Sequence, residues 1–359
     1  MQVSSQLLHR RSFWSVLLVV SLSRTASTQQ PISPADSAQA GEGVALKAAM
    51  QLIESRDRLA TIWPGFWDAT HVFGIFPVRS GTLVLHPRGE RWGDDPAVYG
   101  LALPAALIGR AAFVPNRVGM AVFDLNFRVG DRVITVVSLI PPFAPYRGTV
   151  SESGWLADST SSLVMFAVHE SFHGYQRMYW RPLPDSPVVF AILEPVKPHQ
   201  AWLDSLWVTE ALAIERATLK RAVDALSCAQ SSEHVTRYDV LREARLARMP
   251  EPFRAYEDAH ERAEGIANWV GYEGAHRAST HDTAGVRRTV SDDLAFSYRD
   301  GSGQALRGWS AYSSWHLYAT GAAKTFVIAR CELSDWQARV AKGATLQVLL
   351  RLVADTSKD

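Results

Sequence analysis

Apolar and polar positions along the chain fall into two textures. "VALKAAMQLIESRDRLATIW" (44–63) places Leu46, Met50, Ile53 and Leu59 at helical spacing and reads as an amphipathic helix. From His71 to about Ile140 the pattern becomes short β-rich runs punctuated by Gly, Pro, Asn and Asp: "HVFGIFPV", "GTLVLHP", "AAFVP", "VGMAVFDLNFRVG" and "DRVITVVSLI". Short alternating runs broken this way predict an antiparallel sheet. "IPPFAPYRG" closes it, because clustered prolines cannot donate to a ladder. Beyond residue 155 long apolar periodicities take over and predict a series of helices. Strands first and helices later make an α+β architecture, with a helix plus β-sheet region over 44–155 and a mainly helical region over 156–359.

The two ends of the pattern carry further information. Residues 1–28 begin with Arg10 and Arg11, continue with an apolar run from Phe13 to Leu22, and close on Thr25, Ala26 and Ser27. That order is the one of a signal peptide, and the run is too short to span a bilayer. The paired arginines also suit a twin-arginine export route. Residues 29–43, rich in Pro, Ser, Gln, Ala and Gly, read as a flexible linker. The expected location is therefore periplasmic or extracellular, with no stable membrane span once the signal is removed. In that setting the only two cysteines, Cys228 and Cys331, could form a single disulfide.

Composition narrows the class without choosing a partner. The chain of 359 residues is 47% apolar and 20% charged, as globular proteins are. A formal net charge of +1 offers no electrostatic footprint for nucleic acid or an anionic surface. No G-x-S-x-G elbow and no dinucleotide fingerprint occurs.

One stretch carries chemistry. In "DSTSSLVMFAVHESFHGYQ" the run Asp158 to Ser161 can cap a helix on which His169 and His173 stand one turn apart. Two imidazoles on one helical face can converge on a tetrahedral zinc, and Glu170 points about 100° round the helix, where it can take a proton from an attacking water without being a ligand. The alternative is a packed helix whose histidines merely hydrogen-bond. A catalytic zinc needs a third protein ligand. The metzincin continuation is excluded, because Gln176 and Tyr179 stand where glycine and histidine are required. Two later helices offer a carboxylate. Glu210 falls among Leu203, Leu206, Trp207, Ile214 and Ala217, where an unpaired charge is costly. Glu264 lies beside Tyr256, Ala263, Ala267 and Val270, with His260 one turn before it as a further possible ligand and Asn268 one turn after it as a supporting group.

"HESFH" followed by a helix bearing "AEGIANWVG" resembles the gluzincin branch of zinc metallopeptidases. More closely, the chain resembles a group of uncharacterised exported bacterial proteins with a HE-x-FH motif, through "WPGFWDATHVFGIFPVRSGTLVLHP", "FAVHESFHGYQR", "AEGIANWVG" and "YATGAA". The resemblance implies a zincin-like helical region, Zn2+ held by His169, His173 and Glu264, and Glu170 as general base. Glu210 stays as the alternative third ligand, or as a residue supporting one. It also implies a tyrosine or histidine that stabilises the oxyanion, for which Tyr312, His316 and Tyr318 are candidates, Tyr318 foremost. The expected function is a secreted zinc-dependent hydrolase acting on a peptide or protein. The competing expectations are a noncatalytic exported binding or envelope protein on such a scaffold, and a zinc-free interaction protein whose 12 tryptophans form a glycan- or protein-binding surface.

Overall fold

The computed structural model describes residues 34–67, 72–78, 81–86, 93–115, 124–129, 132–138, 159–180, 193–279, 283–295 and 308–356. The expected signal peptide lies outside these residues. Among the described residues no helix is long and apolar enough to cross a membrane.

Helix α1 runs Pro34–Glu54 and so reaches back into the stretch expected to be a linker. The reason is local: proline is tolerated in a first turn, and "ADSAQA" is rich in good helix formers. Five strands follow: β1 Val72–Val78, β2 Gly81–Leu85, β3 Ala111–Pro115, β4 Asp124–Val129 and β5 Arg132–Ser138. They pair in the order β3-β2-β1-β5-β4. β1–β2, β2–β3 and β4–β5 pair antiparallel, but β1 and β5 meet in parallel, Val72 facing Ile134 and Phe76 facing Ser138. The sheet is therefore mixed rather than purely antiparallel. Two antiparallel units, β1-β2-β3 and β4-β5, join through their first and last strands.

The helical region starts with α2, Ser159–Tyr179, which packs against β5 on one side and α1 on another. Then come α3 (Leu206–Asp224), α4 (Cys228–Leu246) and α5 (Pro252–His260). A π-turn over Glu261–Gly265 leads without a break into α6, Ile266–Ser279. Helix α7 (Thr283–Ala295) follows, then a second π-turn, Tyr312–His316, that opens α8, Leu317–Arg330. Helices α9 (Trp336–Ala341) and α10 (Leu346–Thr356) complete the described chain.

Among the described residues two apolar clusters form the core. The larger includes Leu52 of α1, Leu83 and Phe113 of the sheet, Phe172 of α2, Val270 of α6 and Val327 of α8. The smaller gathers Val208, Phe253, Tyr256, Tyr312 and Leu317. The first π-turn sits where the two meet, since Tyr256 and Ala259 before it belong to the smaller cluster and Ile266 and Ala267 after it to the larger. Cys228 and Cys331 are joined in a disulfide that ties the start of α4 to the residue after α8. Closing 103 residues of chain restricts the unfolded state by on the order of 4 kcal/mol in the chain-entropy picture.

Burial on α3 differs from the sequence expectation. Leu206 is 73% exposed and Ile214 51% exposed, while Val208, Glu215, Leu219 and Ala222 face inward. A carboxylate does sit on the buried face, but it is Glu215, compensated by Arg245 through a two-pronged contact at 2.7 and 3.0 Å. That pairing is what permits a charge where an apolar residue is expected.

Candidate metal centre

The site is built from one face of α2 and the π-turn before α6. On α2, Val164, Val168 and Phe172 are fully buried, and Phe172 is met edge-on by Trp63 and Phe66 at 5.0 Å between ring centroids. That aromatic packing fixes the rotation of α2 and leaves His169 and His173 on an adjacent face, roughly 60° to 100° round the helix from Phe172. The two helices then come unusually close. A Cβ built on Gly274 of α6 would stand 2.7 Å from a Val168 methyl, and one on Gly265 2.4 Å from the Cα of Gly321 in α8. Any side chain at either glycine would push the helices apart, so these glycines set how far Glu264 can reach.

Three donor atoms converge as a result. The Nε2 atoms of His169 and His173 are 3.0 Å apart, and the Glu264 Oε2 lies 3.0 Å from His173 Nε2 and 3.5 Å from His169 Nε2. Donors about 2.0–2.1 Å from a tetrahedral zinc stand about 3.3 Å from one another, so this triangle already has the right edges. Its composition of two imidazoles and one carboxylate suits zinc and leaves a coordination position open. The fourth group, Glu170, has its Oε1 3.9 Å from His169 Nε2, further out than Glu264. The helix places it beside the triangle rather than as a corner of it, although its carboxylate and the two histidines each offer a ligand atom within 4.8 Å of the others.

The electrostatics follow from this crowding. Burial opposes a charge on His173, yet the adjacent Glu264 carboxylate overrides it and raises the imidazole to about 9. Burial likewise opposes ionisation of Glu264, and the two imidazoles hold it well below the usual carboxylate range. A raised histidine contributes stability that is complete below its ordinary 6.5 and is lost as pH rises through about 9. A depressed carboxylate contributes stability that is lost as pH falls below its ordinary range. The metal-free pair is thus stabilising over roughly pH 5 to 9. The difference in melting temperature between wild type and Glu264→Gln, measured in chelator, is expected to narrow as pH rises from 6.5 to about 9. A difference that stays constant over that range contradicts the pairing.

The remaining sequence candidates separate cleanly. Tyr318 lies parallel to the His169 ring at 6.0 Å and borders the triangle. Tyr312 instead donates to Glu257 in the helical core, and His316 stacks on Tyr312 at 5.8 Å. His260 packs between Tyr256 and Tyr318, at 5.2 and 5.5 Å, and burial pushes its imidazole down. Asn268 donates to Tyr272, which donates on to Asp293. Glu210 is on the exposed face of α3, so the structure brings Glu264 to the histidines and leaves Glu210 in solvent.

Two features escaped the sequence reading. Gln176 contacts His173 and the π-turn at once, and its only signal was a polar residue three positions after His173 on a buried face. Below the site lies a buried ionic network. Arg245 pairs with Glu215 and Glu257, Arg242 with Glu257 and Asp258, and Lys324 with Glu261 at 2.5 Å. Lys324 is fully buried; desolvation pulls its ammonium down and Glu261 pulls it back up. This network anchors α5 and the π-turn to α3, α4 and α8.

Comparison with protein-family models, with curated proteins and with solved structures finds no match to this chain.

Proposed function

We propose that this chain is an exported zinc-dependent hydrolase, most simply a peptidase, of gluzincin-like type. The observation that carries the reading is the triangle of His169 Nε2, His173 Nε2 and Glu264 Oε2, with edges of 3.0 to 3.5 Å, assembled from elements 91 residues apart. Glu170 beside it and Tyr318 stacked along it supply the other two groups such a reaction needs.

A zinc ion held by the three donors would supply Lewis acidity, polarising a carbonyl and acidifying water at its open position. The chain's own residues do the rest. Glu170 takes the proton of the attacking water and returns it to the departing amine. Tyr318, whose ring lies along His169, would be the donor to the carbonyl oxygen where negative charge develops. Glu264 completes the donor set while its partial exposure, 18% of the side chain, leaves that side of the site open to solvent.

Export is supported by the order of residues in 1–28 and by the disulfide, since such bonds persist in oxidising compartments. A zincin-like fold is supported by the sequence of a mixed sheet, a helix with HESFH and a later helix carrying the third donor. The reading is tested by incubating zinc-loaded protein with an unbiased peptide mixture and following cleavage by mass spectrometry. Chelator-sensitive cleavage restored by zinc is the expected result. Stable zinc binding with no cleavage of any peptide would replace the hydrolase by a noncatalytic zinc protein.

A further inference from the structure

Gln176 is buried on α2 and makes two contacts. Its Nε2 donates to the Ala263 carbonyl at 2.9 Å, and its Oε1 is 2.8 Å from His173 Nδ1. A backbone carbonyl can only accept, so the amide nitrogen must face Ala263 and the amide oxygen must face His173. An amide oxygen in turn accepts only from an N–H. Nδ1 of His173 therefore keeps its hydrogen, and Nε2, turned toward His169 and Glu264, is the nitrogen left to face a metal. The same side chain grips the peptide one residue before Glu264.

We propose that Gln176 is a positioning residue that aligns two of the three metal donors with one another. It fixes the tautomer and ring orientation of His173 from one end and the backbone under Glu264 from the other. Glu261, Arg262 and Gly265 of the π-turn are held from other elements. Glu261 accepts from Lys324 and from Thr320 at 2.5 and 2.7 Å, and Arg262 donates twice to the Val340 carbonyl, at 3.0 and 2.8 Å. Gly265 lies against Gly321. Beside the Glu264 carboxylate itself, Gln176 ties this anchored turn to the histidine helix. π-turns insert a residue into the helical register and recur at functional sites, where the extra residue re-aims a side chain. Here the one that is re-aimed is Glu264.

The inference rests on the metal-site reading, and its test separates the two. Gln176→Leu removes both contacts at similar size. Gln176→Glu, when ionised, can still accept from His173 but cannot donate to Ala263. Three quantities are measured: the His173 Nδ1–H resonance in metal-free protein, zinc affinity by chelator competition, and the visible spectrum of the cobalt-substituted protein. The Leu variant is expected to lose the slowly exchanging Nδ1–H resonance, to bind zinc about 10- to 100-fold more weakly and to shift the cobalt spectrum. The Glu variant is expected to keep the resonance and still lose about tenfold in zinc affinity. A folded Leu variant with wild-type affinity and an unchanged cobalt spectrum overturns the proposal. If the Leu variant does not fold, the Glu variant decides, and wild-type affinity there overturns it. Should the wild type bind no zinc, the metal reading fails by itself. The resonance then still reports on Gln176, and its persistence in the Leu variant rejects the positioning role.

Discussion

Glu170→Gln is expected to abolish peptide hydrolysis, with a fall of about 10³-fold in kcat, while the zinc content of the protein stays as in wild type. The substitution changes one oxygen for an amide nitrogen and keeps the shape of the side chain. It removes the ability to take a proton and leaves every donor of the metal triangle in place, because Glu170 stands 3.9 Å from the nearest histidine nitrogen and is not one of its corners. The effect should fall on kcat rather than on KM, since the proton moves in the transition state and not on binding. The readout is steady-state hydrolysis of whichever peptide the wild type cleaves, with metal content measured on the same samples. Loss of zinc together with activity would make Glu170 a ligand. Full activity with zinc retained would remove it from the reaction.

The largest expected effect on stability comes from Arg245→Ala. Arg245 joins the carboxylates of Glu215 and Glu257, and all three side chains are essentially inaccessible to solvent. Two acids would then be left buried, with Arg242 and Tyr312 still contacting Glu257 and Arg242 acting on Glu215 from longer range. Removing one member of a buried ion pair costs about 3–5 kcal/mol, because the stranded charge keeps its desolvation penalty without the compensating attraction. The comparison that isolates burial is Arg254→Ala. Arg254 makes an equally good two-pronged contact with Glu243, both bonds at 2.7 Å, but on the surface, with 44% of its side chain exposed. Its loss is expected to cost no more than about 1 kcal/mol. Denaturant unfolding of both variants against wild type checks this. Equal costs would mean that the inner network contributes nothing beyond a surface pair. The network matters for the site because Glu257, Glu261 and Lys324 hold the helix and turn that deliver Glu264.

How far the chain could be read before its structure depends on whether the relevant forces are local. The five strands announced themselves through β-branched runs and their punctuation, and α2 through its apolar periodicity. The parallel meeting of β1 and β5 did not, because pairing between strands some 60 residues apart is decided by how two hairpin-like units dock. On α3 the pattern of large apolar residues pointed to the wrong face. Leu206 and Ile214 look like core in sequence, while Glu215 looks like surface until Arg245 is known to reach it from another helix. That same misreading placed Glu210 in an apolar stripe, so the choice between Glu210 and Glu264 stayed open in the sequence. The first π-turn is also silent there. One additional residue per turn over Glu261–Gly265 barely disturbs helical periodicity, yet it sets the direction in which Glu264 points.

What the sequence did make legible is the histidine pair with its neighbouring glutamate, because spacing along one helix is local chemistry. The depth of the site in the fold was not. His169, Glu170 and His173 are all nearly buried, and the closeness of α6 to α2 depends on Gly271 and Gly274, whose absent side chains read in sequence only as helix weakness.

The central claim is that His169, His173 and Glu264 hold zinc together. Plasma mass spectrometry of metal content, on wild type, His169→Ala, Glu264→Ala and Glu210→Ala purified side by side, tests it most directly. Stoichiometric zinc in the wild type and in Glu210→Ala, lost in the other two, is the predicted result. Folded wild-type protein that stays metal-free after zinc is supplied, or Glu264→Ala that keeps its zinc at wild-type affinity, would contradict it.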